Sequence, residues 1–220
     1  MGKLIQINSF KSKNITKGDK MYRNIKMDIQ SKAKDVKDMP ARAQEVLKYF
    51  EIKDFSQGVP IVEMLTKFGF KVYQSNLEPD DLSSYIAVDP KFEELFGTNK
   101  ITCVHIKDSI GHKRFALAYE LGRYLFDFDE KENLYYYNAY FGKKNRENSM
   151  EIEEERAKKF AANLLMPEQE FRRQYEEFKK IRSKADIVSA LARSFLVSPK
   201  AVLIRFKELE IEGYNSDSEI

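Results

Sequence analysis

The sequence predicts an α+β fold, in which a small sheet of three or more strands packs on helices and two further helices follow. Apolar residues at helical spacing dominate both ends of the chain, and three short runs rich in β-branched and aromatic residues lie between them. The 220 residues are 42% hydrophobic and include sixteen phenylalanines. This is enough apolar surface for the core of one domain with a small appendage.

Residues 1–38 are predicted to form a basic arm, because lysine and asparagine recur there among polar residues. Such a composition favours a mobile or weakly helical segment over packed structure. The N-terminus lacks the long apolar run of a signal peptide or membrane anchor, and the single cysteine, Cys103, excludes an internal disulfide. We therefore expect a cytoplasmic protein with no membrane partner.

Residues 39–180 are predicted to form the main domain. Apolar residues recur at helical spacing in ARAQEVLKYFEI (41–52) and VPIVEMLTKFGF (59–70), so each segment should contain a helix. Strands are expected within FKVYQSNL, LSSYIAVDP and NKITCVHIKD, which are separated by turn-forming residues. The sheet should be antiparallel or mixed.

The stretch RFALAYELGRYLF (114–126) predicts a mostly buried helix with one polar sector. On a helical wheel its apolar residues cover a broad arc, and the polar sector consists of Tyr119, Glu120, Arg123 and the following Asp127. Gly122 lies within the apolar arc. A glycine inside a helix costs about 1 kcal/mol relative to alanine, so it indicates close approach of another element.

A second helix is predicted in MEIEEERAKKFAANLLMP (150–167), where Glu154 heads an apolar stripe. Burial of an isolated carboxylate is strongly unfavourable, so Glu154 on a core-facing stripe should be paired or should bind a cation. The alternative is a position in the first helical turn, where the helix dipole favours acids and water still reaches the side chain.

In these two segments the chain resembles the ImmA/IrrE family of bacterial metallopeptidases. Family members carry patterns similar to RFTLAHELGHYLLH and ExxAxxFAAxLLMP, and the counterparts here are RFALAYELGRYLFD and EERAKKFAANLLMP. The resemblance implies a zincin-like arrangement of helices, with zinc as the family's cofactor. By position, the zinc ligands would be Tyr119, Arg123 and Glu154, and the base that activates the attacking water would be Glu120.

The first of these motifs departs from the family pattern at both histidines. Two histidines at i and i+4 present neutral nitrogens to one ion, but here Tyr119 and Arg123 occupy those positions. Arginine is always protonated, so it offers no lone pair and repels a dication. His112 precedes Tyr119 by seven residues, roughly 10 Å along a helix, and His105 lies in a predicted strand. We therefore expect no metal cofactor and only a vestigial role for Glu120.

Arg123 is predicted to take the place of the missing ion. Its guanidinium should form a salt bridge with Glu154 of the neighbouring helix and with Asp127 or Glu120 of its own helix. The alternative is an exposed pair of Arg123 with Asp127 that contributes about 0.5 kcal/mol or less.

Residues 181–212 are predicted to form a helix-turn-helix-like unit, followed by a tail over 213–220. Ser198 suits the N-cap of the second helix, and Pro199 suits its first position. Possible nucleic-acid contacts are Arg193, Lys200, Arg205 and Lys207. Similar segments follow the peptidase core in the family, so the resemblance favours a packing role.

The sequence thus leaves more than one function open. The leading interpretation is a catalytically inactive ImmA/IrrE-like protein that binds a protein partner. The resemblance implies a repressor or other regulator of a mobile element, prophage or stress operon. Partner contacts are expected from a tyrosine-rich segment, namely Tyr135, Tyr136, Tyr137 and Tyr140. The alternative is a DNA-binding transcriptional regulator, and the less favoured third candidate is an active metallo-endopeptidase that cleaves a repressor.

Overall fold

The predicted α+β class is confirmed in a computed structural model, which describes residues 5–7, 18–33, 35–78, 82–129, 135–139, 148–180 and 183–214. Its strands are β1 (Ile5–Gln6), β2 (Lys71–Ser75), β3 (Ser84–Val88), β4 (Lys100–His105) and β5 (Tyr135–Ala139). Its helices are α1 (Gly18–Lys32), α2 (Met39–Tyr49), α3 (Ile61–Lys67), α4 (Phe92–Phe96), α5 (Ile110–Asp127), α6 (Asn148–Leu165), α7 (Glu168–Lys179), α8 (Lys184–Phe195) and α9 (Pro199–Glu208).

The described strands form one mixed sheet with the order β1-β2-β4-β3-β5. β2 and β4 run parallel, and the other neighbouring pairs are antiparallel. The three predicted strands are the central ones, β2, β4 and β3. The short β1 and the strand β5 extend the sheet on either side, so β5 forms the edge next to β3.

The two faces of the sheet are covered by different layers. Ile86 and Val104 point into the main core, which the helices close. On the opposite face, Ile101 and Cys103 belong to a smaller cluster that is packed against the aromatic side chains of α4. Burial raises the pKa of the Cys103 thiol to about 12, so this cysteine is an inert core residue.

Helix α5 lies between the sheet and α6 and is the most deeply buried element of the site region. Every residue from Ala116 to Phe126 is buried. A Cβ added to Gly122 would lie 3.0 Å from Cδ1 of Phe160 and 3.4 Å from Cα of Ala157, both on α6. The predicted close approach at Gly122 is therefore confirmed, and it brings α6 against the polar sector of α5.

Within the predicted N-terminal arm, α1 (Gly18–Lys32) is a packed helix, which the expectation of a mobile or weakly helical arm over residues 1–38 did not include. In α1, Ile29 is fully buried in the main core. Lys26 is also buried, and its ammonium group donates to the carbonyl oxygen of Phe128 at 2.5 Å, while Gln30 donates to the carbonyl oxygen of Phe126 at 3.2 Å. The lysine-rich composition did not predict this packed helix, because Lys26 and Gln30 cap the C-terminal end of α5 instead of facing solvent.

Helices α8 and α9 meet at a bend of 103°. As predicted, Ser198 is the N-cap of α9, where its hydroxyl accepts from the backbone N–H of Ala201, and Pro199 follows at the first position. A Cβ added to Gly111 of α5 would lie 2.6 Å from the backbone nitrogen of Ser198. The start of α5 is therefore in direct backbone contact with the turn between α8 and α9.

Within the described parts of the chain, no single helix has both the length and the apolar character that a membrane span requires, and the bent pair α8 and α9 meets that test by length and composition only.

We predict that Gly111→Ala destabilises the protein despite the higher helix propensity of alanine. The added methyl group has no space against the backbone of Val197 and Ser198, and overpacking of this kind costs about 1 to 3 kcal/mol. Chemical denaturation measures the loss. Ile110→Ala is the control, because Ile110 is 71% exposed and its truncation should change the free energy of unfolding by less than about 0.5 kcal/mol. Equal stability of the Gly111 variant and the wild type would contradict the close contact.

Candidate functional site

The polar sector of α5 is buried, and an arginine lies at its centre. Tyr119, Glu120 and Arg123 are 1%, 0% and 4% exposed. Nη1 of Arg123 lies 2.8 Å from a carboxylate oxygen of Asp127, one turn further along α5. Nη2 of Arg123 lies 3.2 Å from Oε2 of Glu153 on α6. The guanidinium thus joins the two helices through carboxylates on each.

Asp127 is shared by two guanidinium groups. The second belongs to Arg156 of α6, whose Nη2 donates to Oδ1 of Asp127 at 2.8 Å. Burial raises the pKa of Asp127 to about 6, although Arg123 and Arg156 both pull it down. At neutral pH Asp127 is ionised. Two arginines and two acidic residues lie together here, namely Arg123, Arg156, Asp127 and Glu153. We call these four residues the ion-pair cluster.

The structure modifies the predicted salt bridge on the α6 side. Its contact with Arg123 comes from Glu153, whereas Glu154 lies 3.2 Å from Lys158 of its own helix, and the side chain of Glu154 is 25% exposed. Adjacent residues of a helix point about 100° apart, so the rotation of α6 about its own axis decides which carboxylate faces α5. The predicted pair of Arg123 with Asp127 is present, and it is buried instead of lying on an exposed surface.

Glu120 is separated from solvent and held by the sheet. Its Oε1 accepts from the hydroxyl of Ser84 on β3 at 2.6 Å, and its Oε2 has no hydrogen-bond partner among the described residues. Burial raises the pKa of Glu120 to about 8, against smaller opposing effects from Ser84 and Arg123. At neutral pH Glu120 is therefore mostly a neutral carboxylic acid, whereas a general base needs an ionised carboxylate near its substrate.

Neither histidine lies in the polar sector of α5. His105 is the last residue of β4, where Nδ1 accepts from the backbone of Lys107. His112 lies in the first turn of α5, 3.7 Å from Asp108. In the described parts of the chain, no group of three or more His, Cys, Asp and Glu side chains is arranged to hold a metal ion.

The tyrosine-rich segment is only partly described. The backbone of Tyr135, Tyr136 and Tyr137 belongs to β5, which pairs with β3 at the sheet edge. Tyr140 lies outside the described residues. The predicted partner contacts of these tyrosines therefore remain a prediction.

Among the predicted nucleic-acid contacts, the structure corrects Arg205. This side chain is 1% exposed, and it donates to the carbonyl oxygen of Met166 at 3.1 Å, to Asn163 at 2.8 Å and to Glu208 at 2.8 Å. It anchors α9 to the end of α6 and is not available to a phosphate. Helical spacing placed it on a basic face because the sequence did not show which side of α9 meets α6. The exposed members of the predicted set are Arg193, Lys200 and Lys207.

A family model described as the IrrE N-terminal-like domain matches residues 65–207. The chain belongs to this family. The match includes both segments that form the site, the polar sector of α5 and the start of α6.

The IrrE-like domain also has similar solved structures. One is a Mycobacterium tuberculosis transcriptional regulator, with a TM-score of 0.53 and 16% sequence identity. The alignment covers 88% of this chain and 53% of the regulator, so this chain spans about half of its length. At this identity the likeness concerns the fold alone. None of the curated proteins compared with the IrrE-like domain matches it.

The donor groups at the family's zinc position do not fit zinc in this IrrE-like domain. Zinc requires deprotonated nitrogen, sulfur or carboxylate ligands, and the position of the second histidine carries a guanidinium bound to two carboxylates. A phenol binds zinc only after it has lost its proton, and Tyr119 is 1% exposed. A dication would compete with Arg123 for the same carboxylates.

Sequence reasoning missed three members of the site. Glu153 and Arg156 lie in the run EIEEERAKK, where every charge fits a solvent-exposed helix face, so no local signal selects them. Ser84 is 36 residues from Glu120, and only the packing of β3 on α5 brings them together. The sequence offered one signal for this site, the polar sector of α5, because charged residues on a buried helix require partners.

We predict that Arg123→Met lowers the free energy of unfolding by about 3 kcal/mol, because removing one member of a buried ion pair leaves a charge without compensation. Methionine keeps most of the side-chain volume, and Arg156 still pairs with Asp127, so the loss stays below that of a fully isolated carboxylate. Urea denaturation at pH 7 measures the effect. Lys158→Met is the matched control, because Lys158 pairs with Glu154 at 50% side-chain exposure, where a pair contributes about 0.5 kcal/mol. Equal effects of the two substitutions would contradict a buried cluster.

We predict that the substitution Glu120→Gln increases the free energy of unfolding relative to the wild type progressively as pH rises. The folded state keeps the Glu120 proton up to about pH 8, whereas the unfolded chain releases it near pH 4.5, the ordinary pKa of a glutamate side chain. Wild-type stability therefore falls as pH rises through this window, and glutamine removes the dependence. Between about pH 6.5 and pH 9, the difference in unfolding free energy should move by about 2 kcal/mol in favour of the variant. Glu155→Gln, which removes an exposed carboxylate from α6, is the control. A flat difference for Glu120→Gln would be inconsistent with a buried neutral acid.

Proposed function

We propose that this IrrE-like domain is a pseudopeptidase, a catalytically inactive family member that acts by binding a regulatory protein. The observation that carries the proposal is the Arg123 guanidinium at the position of a zinc-ligating histidine, 2.8 Å from Asp127 and 3.2 Å from Glu153. A fixed positive charge neutralises the carboxylates, which a metal ion would otherwise do, but it provides no Lewis acid for water or a peptide carbonyl.

The state of Glu120 supports the same conclusion. In a metallopeptidase this glutamate takes a proton from the attacking water, which requires an ionised carboxylate and contact with water. Here the side chain is fully buried, is hydrogen-bonded to Ser84 and has a pKa of about 8. The same residues that would be catalytic therefore serve to pack α5 against the sheet and α6.

For the partner, the resemblance to the ImmA/IrrE family favours a repressor-like regulator of a mobile element, prophage or stress operon. Family members act on such proteins, so loss of cleavage with retained binding leaves a protein that captures or masks its target. The edge strand β5 and its tyrosines lie next to β3, beside the former catalytic position, and are the proposed contact region.

DNA binding through α8 and α9 has less support. Arg205 holds α9 to α6, and the turn before α9 is covered by the start of α5. In a DNA-binding helix-turn-helix, the first residues of the second helix reach the base edges, and here the first residues of α9, Pro199 and Lys200, are exposed. Arg193, Lys200 and Lys207 remain exposed, but three cations give only weak phosphate attraction at physiological salt.

Zinc content tests the loss of the metal site. Wild-type protein purified without added zinc should contain less than about a tenth of an equivalent by mass spectrometry, whereas the double variant Tyr119→His/Arg123→His, which restores the ligand set, should take up about one equivalent. Arg123→His alone is the control, because one restored histidine leaves the set incomplete. One equivalent retained by the wild type against a mild chelator would overturn the proposal.

A binding experiment tests the second half of the proposal. The chain is incubated with a helix-turn-helix repressor encoded beside it and analysed by size-exclusion chromatography and intact mass. The expected result is a stable complex that contains full-length repressor, with a wild-type-like complex for the buried-site variant Glu120→Gln. Cleaved repressor would point to surviving peptidase activity. Salt-dependent retention on DNA that disappears on mutation of Arg193 and Lys200, without a protein complex, would support the DNA-binding alternative.

A further inference from the structure

Three elements far apart in sequence meet at the corner where α5 begins. They are the first turns of α5, the turn before α3 that contains Gly58, and the turn between α8 and α9. A Cβ placed on Gly58 would lie 2.7 Å from Nη2 of Arg114 and 3.2 Å from Cδ1 of Leu196. Gly111 contacts the backbone of Val197 in the same region. The side chains of Arg114 and Leu196 are therefore close neighbours.

Arg114 is a half-buried cation without a carboxylate partner among the described residues. Its Nη2 donates to the carbonyl oxygen of Val59 at 2.6 Å, and its Nε is buried without a hydrogen-bond partner in the described chain. Burial lowers the pKa of Arg114, with no acidic side chain acting against this effect. A guanidinium has five donors in a planar fork that suits a carboxylate. The buried Nε is out of reach of a partner, so only the solvent-facing edge of the guanidinium is open to a carboxylate.

The residues beside Arg114 present apolar side chains to solvent. Ile110 is 71% exposed and lies four residues before Arg114, on the same face of α5. Leu196 is 37% exposed and has φ 52° and ψ 48°, the left-handed region that a side chain with a Cβ disfavours. Glycine would end α8 at this position with less strain.

We propose that Ile110, Arg114 and Leu196 form a docking surface, here called the α5 corner, for a protein segment that presents a carboxylate next to apolar side chains. The carboxylate would accept from the solvent-facing edge of the Arg114 guanidinium, and the apolar side chains would cover Ile110 and Leu196. A protein segment fits better than a nucleic acid, because one cation between two exposed hydrophobic residues matches an acidic, apolar peptide and not a row of phosphates. This inference rests on the proposed binding function and locates a second contact region, on Arg114 and the α8–α9 turn.

The test is an NMR titration of the full chain, with labelled methyl groups and arginine side chains. The probe is the peptide acetyl-Leu-Glu-Leu-amide, and its matched control is acetyl-Leu-Gln-Leu-amide. We expect saturable shifts at Ile110, Leu196 and the Arg114 side chain in the millimolar range, and about tenfold weaker binding of the glutamine peptide, since a charge-assisted pair contributes about 1.4 kcal/mol.

Two variants separate binding from folding. Arg114→Met should remove the preference for the glutamate peptide. Leu196→Gly should weaken both peptides while the turn is retained, because glycine adopts the left-handed conformation without strain. The inference is overturned if neither peptide gives saturable shifts at the α5 corner up to about 10 mM. Equal binding of the two peptides, or equal shifts with inorganic phosphate or duplex DNA, would also overturn it. Zinc content is measured separately, so failure of this surface and failure of the proposed function are distinguishable.

Discussion

The contact between Arg123 and the carboxylates of α5 and α6 is the interaction on which the centre of this structure depends. Helix α5 is buried from Ala116 to Phe126, yet its sequence places four polar residues in one sector. Burial of a charge without compensation would cost a large part of the marginal stability of a domain. Asp127 resolves this by accepting a hydrogen bond from Arg156 of α6 and forming an ion pair with Arg123 of its own helix. Gly122 sets the spacing of α5 and α6, because the absence of a side chain lets Ala157 and Phe160 of α6 approach the α5 backbone within van der Waals distance.

The ion-pair cluster also explains why Glu120 is neutral at neutral pH while Asp127 is ionised. Asp127 has two guanidinium partners and is ionised at neutral pH, whereas Glu120 faces the sheet, where the hydroxyl of Ser84 is its partner. A hydroxyl stabilises a carboxylate far less than a cation does, so burial dominates and the proton stays on Glu120. The motif on α5 thus has a charged side chain on the side that faces α6 and a neutral acid on the side that faces β3.

Much of the fold was predictable from local patterns. The three central strands, the buried α5, the close contact at Gly122 and the Ser198 cap all follow from residue spacing and turn chemistry, which act over a few residues. The errors have a common origin in long-range packing. α1 was missed because Lys26 and Gln30 look like surface residues until the carbonyl groups at the end of α5 are placed beside them. Arg205 and the choice of Glu153 over Glu154 depend on the rotation of a helix about its axis, which a single sequence does not determine.

The position of α1 has a consequence for what counts as the folding unit. The region that matches the family begins at residue 65, but Lys26 and Gln30 supply donors to the carbonyl groups with which α5 ends. A fragment cut at the family boundary would expose those carbonyls together with the apolar surface that Ile29 and α2 cover. The autonomous unit therefore starts upstream of the homologous segment, and expression boundaries taken from the family match alone would yield an incomplete protein prone to aggregation.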